Sequence, residues 1–414
     1  MLGAGGFAVS HAASVQGFNR PGTDLDRCNR LLPAFFSNPA SIHFFLSDPV
    51  AYSQGMKIAF ALLAALCTPG VLAAQNSAPA SLLVLSKGGQ TLAIVDPTSL
   101  AVVSKVPVGN DPHEVIASSD GSTAYVSNYG FGAYHTLAVV DLIGRTALPS
   151  IDLGPLSGPH GLTFVGGELW FTAEGAKAIG RYDPAAKRVD WILGTGQNRT
   201  HMIYVAADGQ HIVTTNVSSG TVSLIDKELL RMPPPPPGMP AAGAAPGPGG
   251  ARPGGPNGPG GPGPRTDWNE VVVRVGDGSE GFDVSPDGKQ IWVANARDGT
   301  ISIIEQASKS VIQTLSANVR GANRLKFTPD GTRVLVSSLG GPDLVVLDTR
   351  TREEVKRVPI GHGAAGIVIE PDGSRAFVAC TPDNYVAVID LGSLTVVGHI
   401  LAGDGPDGMA WAMR

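Results

Sequence analysis

Histidine holds the same place in three successive segments of this chain. His113 and His201 each stand seven residues ahead of a turn Asp, His160 stands seven ahead of Gly167, and the next segment puts Glu280 seven ahead of Asp287. Imidazoles and a carboxylate are donor types that hold a divalent transition metal, and three protein ligands with one open position is the catalytic zinc arrangement. Such an ion acidifies a bound water or polarises an ester or lactone carbonyl, with Glu280 or Asp407 placed as general base. The remaining segments carry Asn323, Ala365 and Asp407 at the equivalent position. Repeats descend by duplication, so the shared register equally fits ligand contacts without a metal, or structural hydrogen bonds to a neighbouring segment. The expected ligand-binding set is His113, His160, His201, Glu280, Asn323, Arg324 and Asp407. The expected ligands of one divalent ion are His113, His160, His201 and Glu280. No short motif of the HExxH kind supports the ion, and no residue is assigned a catalytic role.

Those residues need a scaffold that brings seven separated positions together, and the repeats supply it. A short apolar strand with an acidic end recurs seven times, ending at Asp96, Asp141, Asp183, Asp226, Glu305, Asp348 and Asp390. A second apolar strand lies upstream of each, as in TAYVSNY and QIWVANA. A turn usually precedes that strand: Asp120-Gly121, Asp208-Gly209, Asp287-Gly288, Asp330-Gly331, Asp372-Gly373, and once Gly166-Gly167. Such pairs supply the positive φ of a tight hairpin. With a fourth strand after the acidic end, each unit of about 42 residues is a four-stranded propeller blade. Residues 81–109 lack a first strand, and Gly408 to Met413 supply one. The expected fold is therefore all-β: a seven-bladed β-propeller closed by pairing the C-terminal strand with the N-terminal blade. Blade topology places the start of every first strand on one rim of the channel. The second-strand ends Asn128, Tyr129, Glu174, Asn216, Asn295 and Arg297 are expected on the same rim. Arg199, Arg320 and Arg324 flank it, ready to receive a carboxylate or phosphate, or to pair with Glu280 or Asp407.

Composition agrees. With 54 glycines and 33 prolines among 414 residues, a helical bundle is excluded, and the net charge of −5 speaks against a nucleic-acid binder. Residues 56–74, MKIAFALLAALCTPGVLAA, read as a secretory signal peptide with one cation, an apolar core and small residues at its end. Residues 1–55 then form an extension, with Met56 the expected start of translation. The propeller spans 81–414. Within blade four, residues 232–264 hold 24 Pro or Gly among 33, a composition that cannot bury a core and is expected to be disordered. The processed chain keeps Cys380 alone, so no internal disulfide is available and stability rests on the core.

The pattern PH…DG…YVSN…TLAVVD, with VSPDGKQIWVANARDGTISIIE, resembles the YVTN-type, YncE-like β-propeller repeat family over about residues 81–414. That resemblance implies a secreted or surface propeller. PHGLTFVGGELWFTAEG in blade three resembles the repeat of streptogramin lyases, which are metal-dependent, and the lactonase-type propellers share the DG…YVSN layout. The leading expectation is a periplasmic or extracellular binding or scaffold module acting through the channel rim. Its partner would be a small molecule or an envelope protein. The alternative is a metal-dependent lyase or lactone hydrolase using the His/Glu rim. The processed chain shows no transmembrane segment, and a closed propeller needs no second copy to fold, so a monomer is expected.

Overall fold

The computed structural model describes residues 80–229 and 265–414. Residues 1–55, read as an extension, residues 56–74, read as a signal peptide, and the Pro/Gly-rich residues 232–264 lie outside these. Twenty-eight strands form seven antiparallel sheets of four, and the described residues contain no α-helix. The innermost strands, in blade order, are Pro406–Ala412, Pro112–Ala117, Pro159–Val165, Thr200–Val205, Ser279–Val284, Ala322–Phe327 and Ala364–Ile369. Blade one takes its innermost strand from Pro406–Ala412, which pairs antiparallel with Ser81–Ser86 from Leu82↔Trp411 to Ser86↔Pro406. The propeller closes as its repeats imply, without an open sheet edge between the first and last blades.

The core is distributed as seven layers, one at each blade–blade interface. Leu83, Val106, Val126 and Val140 fill the layer between blades one and two. Trp292, Leu325 and Val336 fill the one between five and six, and Phe377, Val84 and Met409 the one between seven and one. Second and third strands are apolar on both faces because each face meets a neighbouring blade. Thr123–Asn128 and Gln290–Asn295, for example, bury every residue after the first. Outermost strands such as Arg188–Gly194 alternate between exposed and half-buried positions. Burying one Val, Leu or Ile side chain contributes roughly 1.5–3 kcal/mol, so each layer adds stability independently of a disulfide.

The recurring acids serve the turns. Asp96 accepts the Thr98 and Ser99 amides at 2.8 and 3.0 Å, and Asp141 accepts those of Ile143 and Gly144 at 2.8 and 2.9 Å. Asp348 does the same for Arg350 and Thr351. In the Asp-Gly turns the carboxylate caps the residue after the glycine, as Asp120 does for Ser122 at 3.0 Å, while Gly121 adopts φ 65°. The third and fourth strands of blade four, Thr221–Leu229 and Thr266–Arg274, pair out to Leu229↔Thr266, so the insert leaves the sheet at that hairpin's tip.

Candidate functional site

The seven positions of the sequence register are each the second residue of an innermost strand. At every one, the pairing to the second strand slips, as between Pro112 and Val115 or between Ser279 and Phe282. A bulge re-aims the side chains it carries, here at the channel mouth. Hydroxyls fix the ring backbone from one blade to the next. Thr172 Oγ1 donates to the His201 carbonyl at 2.6 Å, Thr215 Oγ1 to that of Glu280 at 2.7 Å, and Ser337 Oγ to that of Ala365 at 2.6 Å. The same oxygens accept the Gly161, Met202 and Arg324 amides. Glycine follows the ring residue where strands approach closest: a Cβ on Gly408 would lie 2.3 Å from the His113 carbonyl oxygen.

The three histidines stack in a row. Ring centroids are 4.4 Å apart for His113–His160 and 3.7 Å for His160–His201, and Tyr129 meets His160 edge-on at 5.1 Å. Their surroundings differ. Lys87 Nζ lies 2.6 Å from His113 Nδ1; an ammonium only donates, so that nitrogen accepts. His201 is held between carboxylates: Nδ1 contacts Glu174 Oε1, and Nε2 lies 2.8 Å from Glu280 Oε2 at an angle that falls short of a hydrogen bond. Burial pulls the His201 imidazole down, but Glu280 and Glu174 outweigh it and raise its proton affinity. Burial pushes the Glu280 carboxyl up, and His201, Arg199 and Arg324 overcome it, holding it at about 2. His160 is fully buried with neither ring nitrogen hydrogen-bonded. Burial, then the positive neighbours, push its proton affinity well below the ordinary value. An unsatisfied buried polar group costs about 1–3 kcal/mol.

Glu174, which ends the second strand of blade three, organises this group. It accepts the Tyr129 hydroxyl at 2.5 Å and Arg199 Nε at 3.3 Å. Burial and Glu174 together raise the Tyr129 phenol above its usual range, so it remains a donor. Above the row opens a cavity of about 630 Å³, lined by six of the seven ring positions: His113, His201, Glu280, Asn323, Ala365 and Asp407. Lys87, Arg199 and Arg324 add cations; Phe131, Leu339 and Pro382 add an apolar wall. Lys87 pairs with Asp407 at 3.0 Å, and Arg199 Nη1 lies 3.8 Å from Glu280. Beneath, Arg324 of blade six pairs with Glu114 of blade two, both buried.

Of the sequence-predicted residues, His160 does not reach the cavity, since it lies behind His113 and His201. The structure brings His160 and His201 together with Glu174 into one potential ligand group, and His113 is not part of it. Three second-strand asparagines expected on the rim are instead buried ties. Asn128 Nδ2 donates to the Val108 and Asn110 carbonyls, Asn216 Nδ2 to Thr221 and Ser223, and Asn295 Nδ2 to Thr300 and Ser302. Arg297 and Arg320 are exposed. Sequence reasoning gave no role to Lys87, and none to Glu114. Glu114 immediately follows a ring histidine, and that adjacency was the available signal.

Fold and site define a seven-bladed propeller with a cavity of mixed polar and apolar lining at one end of its channel. The cytochrome D1 heme domain family matches residues 263–378, a minority of the chain lying in blades four to seven. An uncharacterized WD repeat-containing protein of Synechocystis is 38% identical over 71 residues, which is 17% of this chain and 20% of that relative. A functionally unknown protein from Desulfotomaculum acetoxidans superposes with a TM-score of 0.61 at 14% identity, covering 81% of this chain and 99% of that one. A putative 6-phosphogluconolactonase from Bacteroides uniformis superposes with a TM-score of 0.59 at 15% identity, covering 81% and 100%. These likenesses show the propeller fold. The stretch matching the heme-domain family does not fit a haem site. It holds one histidine, His362, which is exposed with Nδ1 3.2 Å from Asp383, and it has no Met, Cys or Tyr to ligate iron.

Proposed function

We propose that this chain is an exported, YncE-like propeller that works as a binding module. It holds a small molecule in the cavity at the mouth of its channel. The observation that carries this reading is the cavity itself, about 630 Å³ and within the range of small-ligand sites, with ring residues from six blades around it. Its walls are of two kinds. Lys87, Asp407, His113, Arg199 and Glu280 of blades one, two, four and five, with Asn323 and Arg324 of blade six and Thr381 of blade seven, present polar groups, while Leu339, Ala365, Pro382 and Phe131 present apolar surface. A compact ligand with a polar end bearing both donors and acceptors, and an apolar body, suits such walls. Export rests on the leader-like residues 56–74. No helix among the described residues is long and apolar enough to cross a membrane.

The test is a thermal-shift screen of small carboxylated and hydroxylated amphiphiles against the protein and its Lys87→Ala and Arg199→Ala variants. A ligand at a hundredfold excess over its Kd stabilises the folded state by about 2.7 kcal/mol, and that gain should vanish in the variants. Stabilisation that survives both substitutions would place the ligand elsewhere.

A second reading, metal-assisted opening of a lactone or ester, is favoured by one observation: a fully buried His160 with two free nitrogens beside a carboxylate and another imidazole. Turnover of model lactones that disappears on chelation and returns with zinc would support it. Ligand binding with no turnover in the metal-loaded protein would leave the binding module.

A further inference from the structure

We propose that His160, Glu174 and His201 hold a divalent first-row transition metal of the zinc or iron(II) class at the edge of the rim cavity. This goes beyond the binding reading, because such an ion can serve structure alone, and it gives the second reading a defined ligand set. Each residue offers one ligand atom, all of these lie within 4.8 Å of one another, and all three side chains are buried. The independent observation is His160: it is withdrawn fully from water, yet neither nitrogen finds a hydrogen-bond partner. A metal ion supplies the missing partner for a neutral imidazole.

The donor set decides the class of ion. Two imidazoles and one carboxylate suit zinc or non-haem iron(II), whereas calcium and magnesium prefer oxygen alone. The surroundings have the arrangement metal sites use to orient their ligands. Glu174 is steadied by the Tyr129 hydroxyl at 2.5 Å and Arg199 Nε at 3.3 Å. His201 Nε2 lies 2.8 Å from Glu280 Oε2, close enough for Glu280 to become the outer carboxylate once an ion turns the ring, which leaves Nδ1 as the nitrogen toward the ion. Binding would replace the direct Glu174–His201 contact. His113 stays out because its Nδ1 is taken by Lys87. His201 lines the cavity, which leaves a path for a further ligand to the ion.

The test is titration of the metal-depleted, untagged protein with zinc sulfate alone, repeated with cobalt(II) and read by its visible absorption. One equivalent should bind with a spectrum of low coordination number. Glu174→Gln and His160→Asn should weaken binding by about 100-fold or more, Tyr129→Phe by about 10-fold, and His113→Ala should leave it unchanged. Glu174→Gln keeps shape and volume, so it reports even if His160→Asn fails to fold, with circular dichroism checking each variant. Folded protein that takes up neither metal would overturn the proposal. So would full binding by Glu174→Gln with loss in His113→Ala, which would return the ion to the His113, His160, His201 and Glu280 set.

Discussion

Glu114 and Arg324, 210 residues apart in the chain, meet between the innermost strands of blades two and six, beneath the cavity. They come from blades two and six, and each directly follows a ring residue. Burial lowers the Arg324 proton affinity, but Glu114 and Asp407 outweigh it and keep the guanidinium charged.

Breaking one side of that pair should be costly. Glu114→Gln or Arg324→Met leaves a buried charge without its partner, and the expected loss is about 3–5 kcal/mol in denaturant unfolding. The double variant Glu114→Leu/Arg324→Met should recover most of it. Single variants that each lose less than about 1 kcal/mol would show that the pair does not hold the floor.

Close approach at the ring makes a sharper contrast between two glycines. Gly408→Ala would drive a methyl toward the His113 carbonyl oxygen, 2.3 Å from the ideal Cβ, with backbone that cannot step aside cheaply. A loss of about 1–3 kcal/mol is expected. Gly194→Ala, in an outermost strand with nothing within 4 Å, should stay within about 0.5 kcal/mol of the parent. Equal effects in thermal unfolding would contradict the packing described.

Acid sensitivity has an identifiable contributor at Asp226, within the third strand of blade four. Burial pushes its carboxyl up, but Lys309 at 2.5 Å and His211 at 2.7 Å hold it below the usual 3.8. As pH falls, the unfolded chain takes up this proton first. The stabilisation is therefore whole above about pH 4 and is lost progressively below it. Asp226→Asn should flatten the fall in Tm between about pH 4 and 3. An unchanged slope would remove Asp226 from the account.

Cys380 should be silent in the folded protein. It is fully buried, its thiol lies 3.4 Å from the Ile360 carbonyl, and burial pushes it up to about 12. Site-resolved alkylation should modify it only at the rate of unfolding. Rapid labelling at neutral pH would mean that blade seven opens locally.

The repeats were legible because their marks are local. An Asp that caps its own turn, and an Asp-Gly that sets the hairpin, operate within three or four residues, so spacing alone counted the blades and set the ring register. The site was legible as a list of positions, not as contacts. Asn128, Asn216 and Asn295 stand at rim-end positions, but which way such a short amide turns is decided by Val108, Ser223 and Ser302, on other strands. Glu174 could be placed on the rim, but its meeting with His201 depends on how blades three and four pack. The Glu114–Arg324 contact depends on closure of the whole ring, and no periodicity encodes it.

Closure through Pro406–Ala412 also sets an order in time. During synthesis Ser81–Ser86 waits without its partner until all the other blades have been made, and Asp407 joins the ring with that same strand. A nascent chain that stops short of this strand has neither a closed ring nor Asp407 at the cavity. The full lining of the cavity is thus acquired in a single late step, when this strand takes its place in blade one.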